Sequence, residues 1–227
     1  MISYILPSRA ADVLQVALRS SDARPFDANV ELWDDLGGIP FKMRILNDDA
    51  GRPLNMIVDS PPGSRALAVH NAGYGPFDFP IIASVFKKKR GAPASRRDPT
   101  TIMQGGALRA YSYGSDAQRV QVRLTTGGMP LNARLELTQG PNNKKQVIEV
   151  YTEDGHARPF LCAFCVDCAS GVLRVVNTAP GVSPMGVTVK SLTNPPTATA
   201  AVTNIAGFVD KNDTLARKSA SCALLDA

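Results

Sequence analysis

The chain has 227 residues, 44% hydrophobic and 20% charged, with a formal net charge of +5. That balance supports a buried core and excludes a disordered chain, and the lack of any apolar run of about 18 residues excludes a membrane-spanning helix. Four cysteines and two histidines are too few for a disulfide scaffold and leave little material for metal or acid–base chemistry. The opening from Met1 to Asp12 lacks the basic start, apolar middle and small-residue cleavage site of a secretory signal.

In chain order, the first periodic run is Leu14, Val16 and Leu18, followed by Ala28, Val30 and Leu32. Apolar residues at every second position mark strands with one buried and one wet face. Turn signals separate the runs at Ser21-Asp22, Gly37-Gly38, Asp48 to Gly51 and Pro61-Pro62-Gly63. The pattern predicts about six strands, near 16–20, 28–33, 41–47, 53–59, 65–71 and 80–86.

Next comes KKKRGAPASRR, which holds Lys87, Lys88, Lys89, Arg90, Arg96 and Arg97 and no acidic residue. These six cations exceed the whole net charge, so the rest of the chain is close to neutral. A cationic stretch containing Gly91 and Pro93 cannot build a core; it reads as a solvated linker or as an arm that docks on an acidic partner.

Beyond the block the first pattern returns. LQVALRSSDARPFDANVELWDD is matched by VQVRLTTGGMPLNARLELTQG: Gln15, Val16 and Leu18 align with Gln121, Val122 and Leu124, and Ala28, Glu31 and Leu32 with Ala133, Glu136 and Leu137. The match continues through Asp48, Arg52 and Pro53 with Asp154, Arg158 and Pro159, through Val69 and Asn71 with Val175 and Asn177, and through Pro80 and Val85 with Pro184 and Val189. Such ordered identities imply an internal duplication. Both copies place Asp and Gly before Arg-Pro, which predicts a turn with an Asx cap, a positive φ at Gly51 and Gly155, and a strand beginning at Pro.

The chemical candidates are weak. Cys162, Cys165 and Cys168 are spaced by three, which in a strand alternates their faces and prevents three thiolates from meeting one ion, so they read as structural thiols. His70 lies in an apolar strand and His156 in a turn, and no GxSxG, HExxH, P-loop or GxGxxG pattern occurs. Aromatics are 6% of the chain, few for a sugar- or RNA-binding platform. The tail opens on Asn194-Pro195-Pro196, and Asp213 to Leu225 suits a short capped helix.

The stretch QVRLTTGGMPLNARLELTQGPNNKKQVIEVYTEDGHARPF, with LRVVNTAP, resembles the non-pigmented linker proteins that stabilise red algal phycobilisomes. That resemblance implies a plastid location at the stromal face of the thylakoid, no catalysis, and binding to acidic phycobiliprotein subunits and other linkers in a large hetero-oligomeric assembly. No cofactor and no metal are expected.

The expected architecture is all-β: two tandem antiparallel β-sandwich domains from an internal duplication, with extended arms. The boundaries are an N-terminal arm over 1–11, repeat 1 over 12–86, a basic linker over 87–110, repeat 2 over 111–192 and a tail over 193–227. The expected function is a non-catalytic phycobilisome linker, with partner docking assigned to Lys87, Lys88, Lys89, Arg90, Arg96 and Arg97. The alternatives are a carbohydrate- or RNA-binding module, or a hydrolase with an unrecognised carboxylate site.

Overall fold

The computed structural model describes residues 2–5, 12–21, 24–48, 54–60, 64–73, 81–89, 99–139, 144–166 and 170–192. Among them there are strands and turns and no helix. The tail, including the helix expected over Asp213 to Leu225, lies outside the described residues.

Seven strands come first: β1 (Ile2–Ile5), β2 (Asp12–Ser20), β3 (Phe26–Asp34), β4 (Phe41–Asn47), β5 (Leu54–Ser60), β6 (Ser64–Asn71) and β7 (Ile81–Lys89). They are followed by β8 (Thr101–Met103), and then by β9 (Leu108–Tyr113), β10 (Arg119–Thr125), β11 (Leu131–Gln139), β12 (Lys144–Thr152), β13 (Phe160–Cys165), β14 (Gly171–Asn177) and β15 (Met185–Leu192). Period-two patterning placed the six strands β2 to β7 within a few residues of where they stand. It did not find β1, which falls in the segment expected to be an arm, nor β8 and β9, which follow the basic block.

The strands form an eight-stranded sheet in the order β1-β6-β3-β4-β12-β11-β14-β9, a four-stranded sheet β13-β10-β15-β8 and a three-stranded sheet β5-β2-β7. Every pairing is antiparallel. The pairings before and after β8 follow one scheme. β2 lies between β5 and β7 as β10 lies between β13 and β15, and β3 lies between β4 and β6 as β11 lies between β12 and β14. The register matches too: Ala28 faces Ile45 and Asn71, while Ala133 faces Val150 and Asn177. Leu14 faces Val58 and Lys87, while Val120 faces Phe164 and Ser191.

The two sets meet at β4 and β12, which pair over seven residue positions from Phe41↔Thr152 to Asn47↔Gln146. In the other layer β5 runs beside β13. Phe41 of β4 stacks on Phe160 of β13, with ring centroids 6.1 Å apart and planes at 13°. One buried apolar cluster extends from Leu14, Val30 and Ile45 to Leu135, Phe164 and Val187. Residues from both sets therefore share a core. Each fully buried large aliphatic or Phe side chain in it contributes about 1.5–3 kcal/mol relative to exposure.

Turn chemistry holds the ends. Asp34 Oδ1 accepts from the amides of Leu36 at 3.0 Å and Gly38 at 2.8 Å, and Gly37 takes φ +80°, which suits a residue without Cβ. Asp154 Oδ1 accepts from His156 at 2.8 Å and Ala157 at 3.0 Å, the expected Asx cap. Gly155 departs from expectation. Its φ lies outside the left-handed region, and glycine is required because a Cβ would lie 2.6 Å from Thr126 Oγ1 and 3.0 Å from the Thr126 amide nitrogen. The corresponding Asp48 turn lies largely outside the described residues.

The shared core gives a direct test. Trp33 is the sole tryptophan and sits in β3, whereas Phe160 sits in β13. Phe160→Ala is expected to cost about 3–5 kcal/mol, and Trp33 fluorescence in a urea titration should report that loss in full; an unshifted Trp33 transition would mean the halves unfold separately. A second test concerns acid. Backbone amides of Ala157 and His156 hold the Asp154 carboxyl below its ordinary value of 3.8. The unfolded chain therefore takes up this proton first, and the stabilisation, complete above that value, is lost as pH falls through and below it. Asp154→Asn keeps the acceptor and should flatten the pH dependence of the urea midpoint between about pH 5 and pH 2.

Candidate functional site

Alternation along the strands sends one residue in two to the outer face of the eight-stranded sheet. At the join of β4 and β12 this face forms an open trough of about 550 Å³, lined by Glu31, Lys42, Arg44, Arg134, Glu149 and Tyr151 among others. Arg44 and Glu149 stand opposite each other in the ladder. Arg44 grips Asp27 with two bonds, Nη2 to Oδ2 at 2.6 Å and Nε to Oδ1 at 3.2 Å, the bidentate geometry a guanidinium favours. Lys42 Nζ lies 5.1 Å from the centroid of the Tyr151 ring across the join.

The neighbouring charges are also paired. Arg134 Nη2 is 3.0 Å from Glu136 Oε1, and Arg174 Nη1 is 3.9 Å from Glu136 Oε2. His70 Nε2 is 3.4 Å from Glu31 Oε2, so the histidine expected in an apolar strand stands beside a carboxylate on the wet face. Among the described residues no three His, Cys, Asp or Glu side chains group as a metal site. The face carries charges of both signs, with Arg44, Arg134 and Arg174 held in ion pairs, and its chemistry suits contact with another polar surface. Exposed pairs of this kind contribute little stability, about 0–1 kcal/mol each, and mainly fix which surfaces are compatible.

The residues singled out from sequence do not converge there. Lys87, Lys88 and Lys89 form the end of β7, at register positions opposite Leu14, Val13 and Asp12 in the smaller layer. Arg90, Arg96 and Arg97 lie outside the described residues. Cys162 is fully buried in β13, and burial pushes its thiol far above the ordinary value. Cys168 and Cys222 lie outside the described residues. What sequence reasoning missed is the join itself and the strands β1 and β9. A signal existed for the latter pair: Ile2-Ser3-Tyr4-Ile5 and Arg109-Ala110-Tyr111-Ser112 share a Tyr that faces Leu67 in one set and Leu173 in the other.

A model of the diatom pyrenoid shell protein family matches residues 3–191, which takes in every strand but the outer ends of β1 and β15. The chain belongs to the diatom pyrenoid shell protein family. No curated protein matches it. Membership overturns the expected kinship with red algal phycobilisome linkers, and with it the expected binding to acidic phycobiliprotein subunits and other linkers. Neither the carbohydrate- or RNA-binding module nor the hydrolase gains support from the match. The resemblance misled because alternating strands and Gly-Pro-Asn turns report a fold, and a fold does not name its partners. A pyrenoid lies within a plastid, so the plastid expectation stands for this shell-family chain, while the stromal face of the thylakoid does not follow from it. Among the described residues no helix is long and apolar enough to cross a membrane.

The burial of the Cys162 thiol can be tested by alkylation. In the native chain Cys162 is expected to resist iodoacetamide, because only a thiolate reacts and the core disfavours one. Peptide mass spectrometry should find Cys162 alkylated only after unfolding; rapid native labelling would disprove its burial.

Proposed function

We propose that this chain is a non-catalytic building block of the layer that encloses the pyrenoid. The family match over 3–191 carries the reading. A rigid body with a core common to both strand sets suits a load-bearing tile better than a catalyst that must open and close. The charge-paired outer face suits contact with neighbours in the layer.

The body is best understood as a doubled one. Two seven-stranded antiparallel sandwiches, from an internal duplication, are fused edge to edge, with β8 as an addition between them. Supporting this are the sequence identities and the shared order and register of pairing. Lys87, Lys88 and Lys89 at the end of β7, with Arg90, Arg96 and Arg97 that follow in the sequence, then form a cationic block assigned to docking on an acidic component of the pyrenoid. Concentrated like charge of this kind steers and holds an oppositely charged surface in a salt-dependent way.

A fluorescent fusion expressed in a diatom tests both parts. The native chain is expected to mark a rim around the pyrenoid within the plastid; diffuse plastid fluorescence, or fluorescence outside the plastid, would refute the shell reading. Changing all six cations to Gln should leave the chain folded yet lower the salt concentration at which it is released from isolated pyrenoids. An unchanged salt dependence would remove the docking role.

A further inference from the structure

We propose that β9 is the edge through which one copy of this chain joins β1 of the next, so that the eight-stranded sheet continues from molecule to molecule. The proposal rests on the shell reading and names the joint that such a layer needs.

Both edges have backbone groups to offer. The Asn177 amide donates to Ala107 O at 3.0 Å. In an antiparallel ladder this sets the alternation: the amides of Arg109, Tyr111 and Tyr113 face β14, and those of Leu108, Ala110 and Ser112 face away from it. The Ala72 amide likewise donates to Asp27 O, at 2.9 Å, which assigns Ala66, Ala68 and His70 to the ladder with β3 and leaves Leu67 and Val69 to β1. The amides of Ser3 and Ile5 therefore face away from β6. Among the described residues no strand pairs with the far side of β9 or of β1.

The remaining outer edges carry the usual protection against pairing. β7 ends in three consecutive lysines, and β15 is covered by β8, which is only three residues long. β9 has six residues with no Lys, Pro or Gly, and its one charge, Arg109, donates from Nη1 to Thr101 Oγ1 at 3.4 Å, while β1 carries no charge. An apolar corner adjoins β9. Asn177 is buried; its Nδ2 donates to Met103 O at 3.1 Å and Ser183 O at 2.8 Å. Together with the Ala107 bond, this ties to one residue the segments that carry Ile102, Val182 and Leu108, which are 63%, 90% and 57% exposed. Three exposed apolar side chains on segments tied to Asn177, next to an edge with a single charge, suit a surface that is covered when the layer forms.

The geometry of the partner is already present inside the chain. β4 and β12 occupy corresponding places in the two strand sets, and they pair antiparallel. β1 and β9 also occupy corresponding places, at the two opposite ends of the sheet. Joining β9 to β1 of a second copy repeats the internal join in the same sense. Because the two edges differ and lie at opposite ends, the contact does not close on itself and growth is unlimited.

The test uses the full chain, with Ala110→Pro and Ser3→Pro. Each removes an amide that faces away from its own ladder, so the fold is kept, as circular dichroism and thermal melting will verify. By sedimentation velocity and electron microscopy the native chain should form extended assemblies, and each variant alone should remain monomeric. An equimolar mixture should yield a species of twice the chain mass, joined through the intact β9 of one variant and the intact β1 of the other. Assembly of Ala110→Pro like the native chain, or a mixture without dimers, overturns the proposal. Dimers of Ser3→Pro alone would show β9 pairing with itself and would also overturn it. Should Ala110→Pro fail to fold, Ser112→Lys retains every backbone donor and is expected to block growth in the same way. A native chain that stays monomeric sinks the shell reading together with this one, whereas variants that assemble like the native chain sink only this one.

Discussion

The antiparallel pairing of β4 with β12 is the constraint on which the rest of the molecule depends. Each strand alone would end a four-stranded sheet with a row of unpaired amides and carbonyls, the kind of edge that invites uncontrolled association. Their union satisfies both rows at once. It also places Ile45 against Ile148 and Met43 against Val150 on the inner face, so the hydrophobic layer crosses the join without interruption.

The wet face at the join follows from the same register. A one-residue slip would exchange the faces of β12. Ile148 and Val150 would then meet water, and Glu149 and Tyr151 would enter the core. The observed register instead sets Arg44 opposite Glu149 and Lys42 opposite Tyr151, beside the Asp27 that Arg44 holds. Hydrophobic burial decides the register, and the surface charges are the residue pattern that remains. Charges of both signs leave little net charge over the trough, in contrast to the cationic stretch that begins at the end of β7.

Sequence patterning came close at some sites and missed others for identifiable reasons. β11 alternates without a break over nine residues and β3 over eight, up to the register shift between Trp33 and Asp34, and both were found. β1 has four residues and β8 three, too short to display a period, and Leu-Arg-Ala-Tyr-Ser-Tyr in β9 does not alternate cleanly because both of its faces lie at a sheet end. The Asx turn at Asp154 was predicted from residue types, since a carboxylate two or three residues before its donors acts locally. The role of Gly155 was not, because the atoms it makes room for belong to Thr126 and Leu131 on a distant segment. The family lay beyond reach for a related reason: alternation and turn residues constrain how a chain packs on itself and say little about what its outside touches.

Residue order alone shows that this protein is built of strands and where most of them run, and it carries the ordered identities between the stretches before and after the basic block. These are properties of period, turn chemistry and identity, all of which act over a few residues or can be counted. The folded chain adds that β4 meets β12, that the strands before and after β8 share a core through Phe41 and Phe160, and that β1 and β9 are left as the ends of a single sheet. Edge pairing is made by backbone groups common to every residue, so which edges meet is set by the shape and burial of the whole fold and leaves almost no mark on the local sequence.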